Sequence, residues 1–164
     1  MDINYLIFGP IVLAVVYSVG VMVWLKKKPE GNESMREISR AISEGSSAYL
    51  KREYTAVGIV AAILAVIIYF ALGGVSALGF LIGAGASALA GYIGMAVAVR
   101  SNARTAEAAR HGMAPALSLA FRSGSVTGFF VVALGLLAVG GFFMATNNIG
   151  ALVSLGFGAS LISV

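Results

Sequence analysis

Cysteine is absent and histidine occurs once in the 164 residues. No disulfide, thiol nucleophile or Cys-based metal site can therefore form, and the redox compartment leaves no trace in the composition. Charge is scarce as well: 11% of the residues are charged against 59% apolar, and the mean hydropathy is +0.94. That balance lies far from the soluble average and marks an integral membrane protein. There is no Asp-x-x-x-Asp pair, no Walker loop, no histidine cluster and no Ser–His–Asp set. A hydrolase acting on phosphates needs carboxylates to hold magnesium and cations to neutralise phosphoryl oxygens. The acids here are only Asp2, Glu30, Glu33, Glu37, Glu44, Glu53 and Glu107. The net charge of +4 does not point to nucleic acid, because the basic residues lie in short segments between long apolar runs, where lipid headgroups account for them.

What is present is a series of apolar runs, at 3–25, 54–72, 75–99, 125–145 and 151–164. The first is about 23 residues, long enough at about 1.5 Å per residue to cross a hydrocarbon core of about 30 Å. Asp2 rather than a basic cluster precedes it, Lys26-Lys27-Lys28 follows it, and no small-residue cleavage site stands before those lysines, so it reads as a retained span and not a signal peptide. Pro10 is tolerable in its early turns, and Trp24 sits where an interfacial aromatic belongs. The last run rises only about 21 Å as a helix, short of the hydrocarbon thickness of about 30 Å. It reads as the beginning of a fifth span in a fragment, the alternative being a re-entrant or tilted terminal helix. The fold expected is all-α, a polytopic transmembrane helix bundle with four complete spans and the start of a fifth, in a single membrane domain covering 1–164.

Two basic segments, 26–53 and 100–124, separate the spans. In the first, Pro29, Gly31 and Asn32 stop the preceding helix, and Ser34 followed by Glu37 has the spacing of a capping box. Met35, Ile38, Ile42 and Tyr49 recur at helical intervals, which predicts an amphipathic helix that extends the next span, the other reading being a helix lying on the membrane. In the second, Arg100, Arg104, Arg110, Arg122 and His111 face a single acid, Glu107. Its spacing to Arg104 and Arg110 predicts helix-surface pairing with both, and His111 before Gly112 reads as a helix-end residue. All 11 Lys and Arg fall in these two segments, while the turns at 73–74 and 146–148 carry none. Short loops follow the positive-inside rule, so both basic segments are expected in the cytoplasm and the N-terminus outside.

The third span carries Gly79, Gly83, Ser87 and Gly91, each four apart and hence on one face. In lipid such a ridge lets another backbone approach closely, so this helix is expected to be surrounded by protein. Gly128, Gly135, Gly140 and Gly141 predict tight contacts along the fourth. No span holds an ionisable residue in its core, so these helices alone build no proton relay.

The segment KKPEGNESMREISRAISEGSSAYLKREY at 27–54 resembles the first cytoplasmic segment of the membrane-bound, ion-translocating pyrophosphatases. GMAVAVRSNARTAEAAR at 94–110, continuing through ALSLAFRSGSVTG at 116–128, is similar to the third and fourth spans of the same family with their connecting loop. The resemblance covers essentially all of the chain after the first span. It implies the N-terminal part of a pump of about sixteen helices, each about 20 residues across the bilayer. Such a pump hydrolyses pyrophosphate on the cytoplasmic side and drives H+ or Na+ outward as a homodimer, with Mg2+ as cofactor and with or without K+. The resemblance assigns the first four spans to an outer scaffold ring and the fifth to the inner set. It therefore implies no catalytic, substrate-binding or metal-binding residue in this stretch, and a stretch that is inactive by itself. Ser160 aligns with a small polar position that faces the ion pathway and is the one site candidate; a small residue permitting helix contact is its other reading. A prokaryotic plasma membrane is the expected location. A small non-catalytic multi-pass scaffold or transporter subunit is the alternative to the pump.

Overall fold

A backbone segment in hydrocarbon must satisfy its own hydrogen bonds, so runs this apolar become helices. The computed structural model describes residues 3–161, and these form five: α1 (Ile3–Lys26), α2 (Glu33–Leu72), α3 (Gly74–Ala109), α4 (Met113–Thr146) and α5 (Ile149–Ser160), with no strand among the described residues. The first four are long and apolar enough to cross a membrane, and α5 is a shorter apolar helix. The protein is thus an all-α, multi-pass membrane protein. Asp2 and the end of the last apolar run, 162–164, lie outside the described residues.

The turns are short, and each has a residue that fits it. Gly73 alone separates α2 from α3, at φ 88°, a region open to glycine, and its amide donates to the Tyr69 carbonyl. Asn147 closes α4 in the left-handed conformation, its amide donating to Phe143 O, and Asn148 then caps α5 by accepting from the Ala151 amide. At the start of α2 the cap is Asn32, whose Oδ1 accepts from the Met35 amide at 3.0 Å. This corrects the capping box expected at Ser34: the chain turns through Gly31 at φ 87°, so Asn32 occupies the extended cap position and Ser34 already lies inside the helix.

α2 runs unbroken for 40 residues, so the amphipathic segment is the extension of the apolar one that follows it. The connector of 100–124 is likewise almost all helix, the chain reversing only around Arg110–Gly112, where Gly112 has φ 120°. α3 is the hub, packing on α2, α4 and α5, while α1 packs on α4. Instead of one core there are small buried knots along the contacts. Val21, Leu25, Val97, Leu119 and Val126 join α1, α3 and α4 at the basic end, and Ala65, Ile68, Ala77 and Phe80 join α2 to α3 at the other. Much of α2 is exposed, Ile63, Val66 and Phe70 among it, which a lipid solvent tolerates without penalty.

Candidate functional site

At the basic end, the turn between α1 and α2 is fastened to the end of α3. Arg104 is the fastener: its side chain is mostly buried, Nη2 lies 2.7 Å from Glu30 Oε1, and Nε donates to the Lys28 carbonyl at 3.2 Å. Nη1 also donates to the Arg100 carbonyl. This corrects the expected pairing of Arg104 with Glu107, because the returning turn offers a carboxylate and a carbonyl in one place. Glu107 pairs instead with Arg110 at 3.2 Å and lies 3.8 Å from His111 Nε2. Gly31 closes the cluster, since a Cβ there would meet Met35 Sδ and come to 3.1 Å from Glu107 Oε2. Trp24 lies within 4.7 Å of Lys28 Nζ and 5.0 Å of the Arg122 guanidinium, cation–π contacts of which the second ties α1 to α4.

The small-residue ridge of α3 is used where it meets α5. A Cβ on Gly79 would stand 2.8 Å from Ala151 O, and one on Gly83 would overlap Leu155 O. From the other side, a Cβ on Gly158 would overlap the Phe80 carbonyl. Backbone therefore lies on backbone, and the crossing is possible only because three glycines meet there. The row Gly150, Ser154 and Gly158, four apart on α5, was the available signal for this partner. On α4 the expectation is met in part. Gly140 faces Ile7, but Gly128, Gly135 and Gly141 have nothing within 4 Å, so the tight contacts expected of these three are absent within the described residues.

Ser160 is the last residue of α5, exposed, with its Oγ donating back to the Phe157 carbonyl at 2.8 Å. An apolar groove of about 600 Å3 lies beside α5, between α2, α3 and α4, with Gly83, Met95, Gly135 and Ala159 in its walls. Tyr54 holds α2 to its rim by donating to the Ala88 carbonyl at 2.8 Å. At the mouth, the Glu53 carboxylate accepts the Tyr49 hydroxyl and by its charge pushes that hydroxyl's pKa above the ordinary value. With one carboxylate in its walls, the groove has no set of oxygen ligands for Mg2+. No three His, Asp or Glu among the described residues come together to hold a metal ion. Glu30 and Glu107 are engaged by Arg104, Arg110 and His111, so the residues present do not fit a magnesium pyrophosphate site.

The family model described as inorganic H+ pyrophosphatase matches residues 12–164. A K+-insensitive pyrophosphate-energized proton pump of Methanosarcina mazei is 48% identical over 84% of the chain, and one of Pyrobaculum aerophilum is 40% identical over 99% of it. A protein of Clostridium tetani, provisionally named a K+-stimulated pyrophosphate-energized sodium pump, is 41% identical over 71%. The aligned stretch covers 21%, 24% and 17% of these three relatives, so the chain spans no more than about a quarter of their length.

Proposed function

The chain belongs to the inorganic H+ pyrophosphatase family, and we propose that it is the N-terminal part of a membrane pump in which hydrolysis of inorganic pyrophosphate drives H+ or Na+ outward. Its four long helices act as outer scaffold, with membrane windows at 3–25, 54–72, 75–99 and 125–145, and α5 begins the inner set. The basic segments face the cytoplasm, the N-terminus lies outside, and the membrane is a prokaryotic plasma membrane. Mg2+, with or without K+, and pyrophosphate are bound by parts of the pump beyond this stretch, and the pump is a homodimer.

The observation that carries this reading is the match to the inorganic H+ pyrophosphatase family over residues 12–164, and the glycine crossing of α3 and α5 supports the scaffold role. Backbone-to-backbone contact at Gly83 and Gly158 fixes α5 on the scaffold, leaving Ser160 exposed at its end, where it would border the ion pathway in the assembled pump. A stretch that positions an inner helix, with no three His, Asp or Glu together among the described residues, fits a scaffold in division of labour with a catalytic part.

The test is to place residues 12–164 in the Methanosarcina pump in exchange for its equivalent stretch, and to assay inverted membrane vesicles. Pyrophosphate-dependent acidification of the lumen that Ser160→Leu abolishes, with the chimera still in the membrane, supports the reading. A membrane-inserted chimera that hydrolyses pyrophosphate and pumps normally with Ser160→Leu removes Ser160 from the pathway. The genomic reading frame gives an independent check: a stop codon directly after Val164 would remove the pump assignment.

A further inference from the structure

We propose that the cleft between the basic ends of α1 and α3 is a binding site for an anionic phospholipid, with Lys26 and Arg100 holding its phosphate and Val19, Met22 and Val23 flanking an acyl chain. The cleft has a volume of about 210 Å3 and is apolar below and cationic above. The division follows from helix geometry. Val19, Met22, Val23 and Lys26 recur at intervals of three and four along α1, so one face passes from hydrocarbon to charge at a single level. Val97 and Arg100 do the same on α3. Two helices thus change from apolar to basic at the same height, which is also the level of Trp24.

The two cations are free for this role. Arg104, which also borders the cleft, is committed to Glu30, Lys28 and Arg122 lie against Trp24, and Arg110 is paired with Glu107. Lys26 and Arg100 are exposed and have no acidic partner among the described residues. A free phosphate ion would satisfy the cations but make no use of the apolar wall. A zwitterionic lipid would fill the wall but bring its own positive charge towards Lys26 and Arg100. An anionic phospholipid satisfies both, the pattern by which basic pockets between membrane helices select headgroups.

The experiment is native mass spectrometry of the chain in detergent micelles, titrated with phosphatidylglycerol, with phosphatidylcholine of the same acyl chains, and with inorganic phosphate. At about fivefold per cation near an anionic surface, the expected preference for phosphatidylglycerol over phosphatidylcholine is on the order of thirtyfold. Lys26→Gln with Arg100→Gln should abolish it, whereas Lys51→Gln with Arg52→Gln, which removes equal charge elsewhere, should leave it. Val23→Trp, at an exposed wall position, should lower occupancy while retaining both cations. Equal binding of the two lipids, equal loss in both double variants, or displacement of the lipid by inorganic phosphate would each overturn the proposal.

Discussion

Glu30 and Glu107 lie at the same end of the bundle, yet the structure gives them different cations. Among the described residues Arg104 is the best-buried arginine in contact with a carboxylate, with 11% of its side chain exposed against 48% for Glu30. Because Glu30 is half in water, the pair is worth less than its short distance implies, about 0.5–1 kcal/mol. A double-mutant cycle on Arg104→Gln and Glu30→Gln, read from unfolding in mixed detergent micelles, should give a coupling of about that size. The same cycle on Arg104 and Glu107 should give none. Coupling between Arg104 and Glu107 instead would mean that the turn at 27–32 does not return onto α3. Gly31→Ala probes the same turn: at φ 87°, with Met35 Sδ in the way, it should cost about 1–2 kcal/mol in the same assay. The sequence made helix-surface pairing around Glu107 legible, since three- and four-residue spacings are local. It could not show that a carboxylate so far back in the chain would take Arg104, because that depends on where a turn lands.

Along the helices, the same residue type carries opposite consequences. Gly83 and Gly158 stand where backbones touch, while Gly128 and Gly141 face open space. Gly83→Ala should therefore cost about 1–3 kcal/mol, because the overlapping atom is a carbonyl of α5 that cannot swing aside as a side-chain tip could. Gly128→Ala should be neutral or stabilise by up to about 1 kcal/mol, since alanine is the better helix former and meets nothing. Equal effects of the two substitutions on unfolding would show that α3 and α5 do not cross in contact. Helix type and count were legible from apolar runs and turn residues, and the ridge on α3 was legible as a ridge. Its partner was not, because small residues four apart mark a close approach without naming what approaches, and of the four α4 glycines singled out only Gly140, facing Ile7, marks one among the described residues. The expectation for Ser160 rests on family resemblance alone: a serine whose hydroxyl is satisfied by Phe157 O carries no local sign of an ion pathway.

In the whole molecule, the basic turns fall at one end and the neutral turns at the other, and the proposed orientation in the membrane follows from that. With no native cysteine, single cysteines at Lys27, Asn102 and Asn147 can be labelled in membranes without background. Those at Lys27 and Asn102 should react from one side and that at Asn147 from the other. Reversing the arrangement would place both basic segments on the outer side, against the positive-inside rule. In the proposed pump, the side bearing Lys27 and Asn102 is the one that meets pyrophosphate, and from that proposal a chemical prediction follows for the isolated chain. Pyrophosphate hydrolysis needs several carboxylates on magnesium and cations free to take up phosphoryl charge. Here Glu30 and Glu107 are committed to Arg104 and Arg110, and the other glutamates are strung along α2 without gathering into a ligand set. The chain purified in micelles should therefore release no phosphate from magnesium pyrophosphate above background. Magnesium-dependent release that disappears with Glu107→Gln would move the active site into this stretch and end the assignment of these helices to the scaffold.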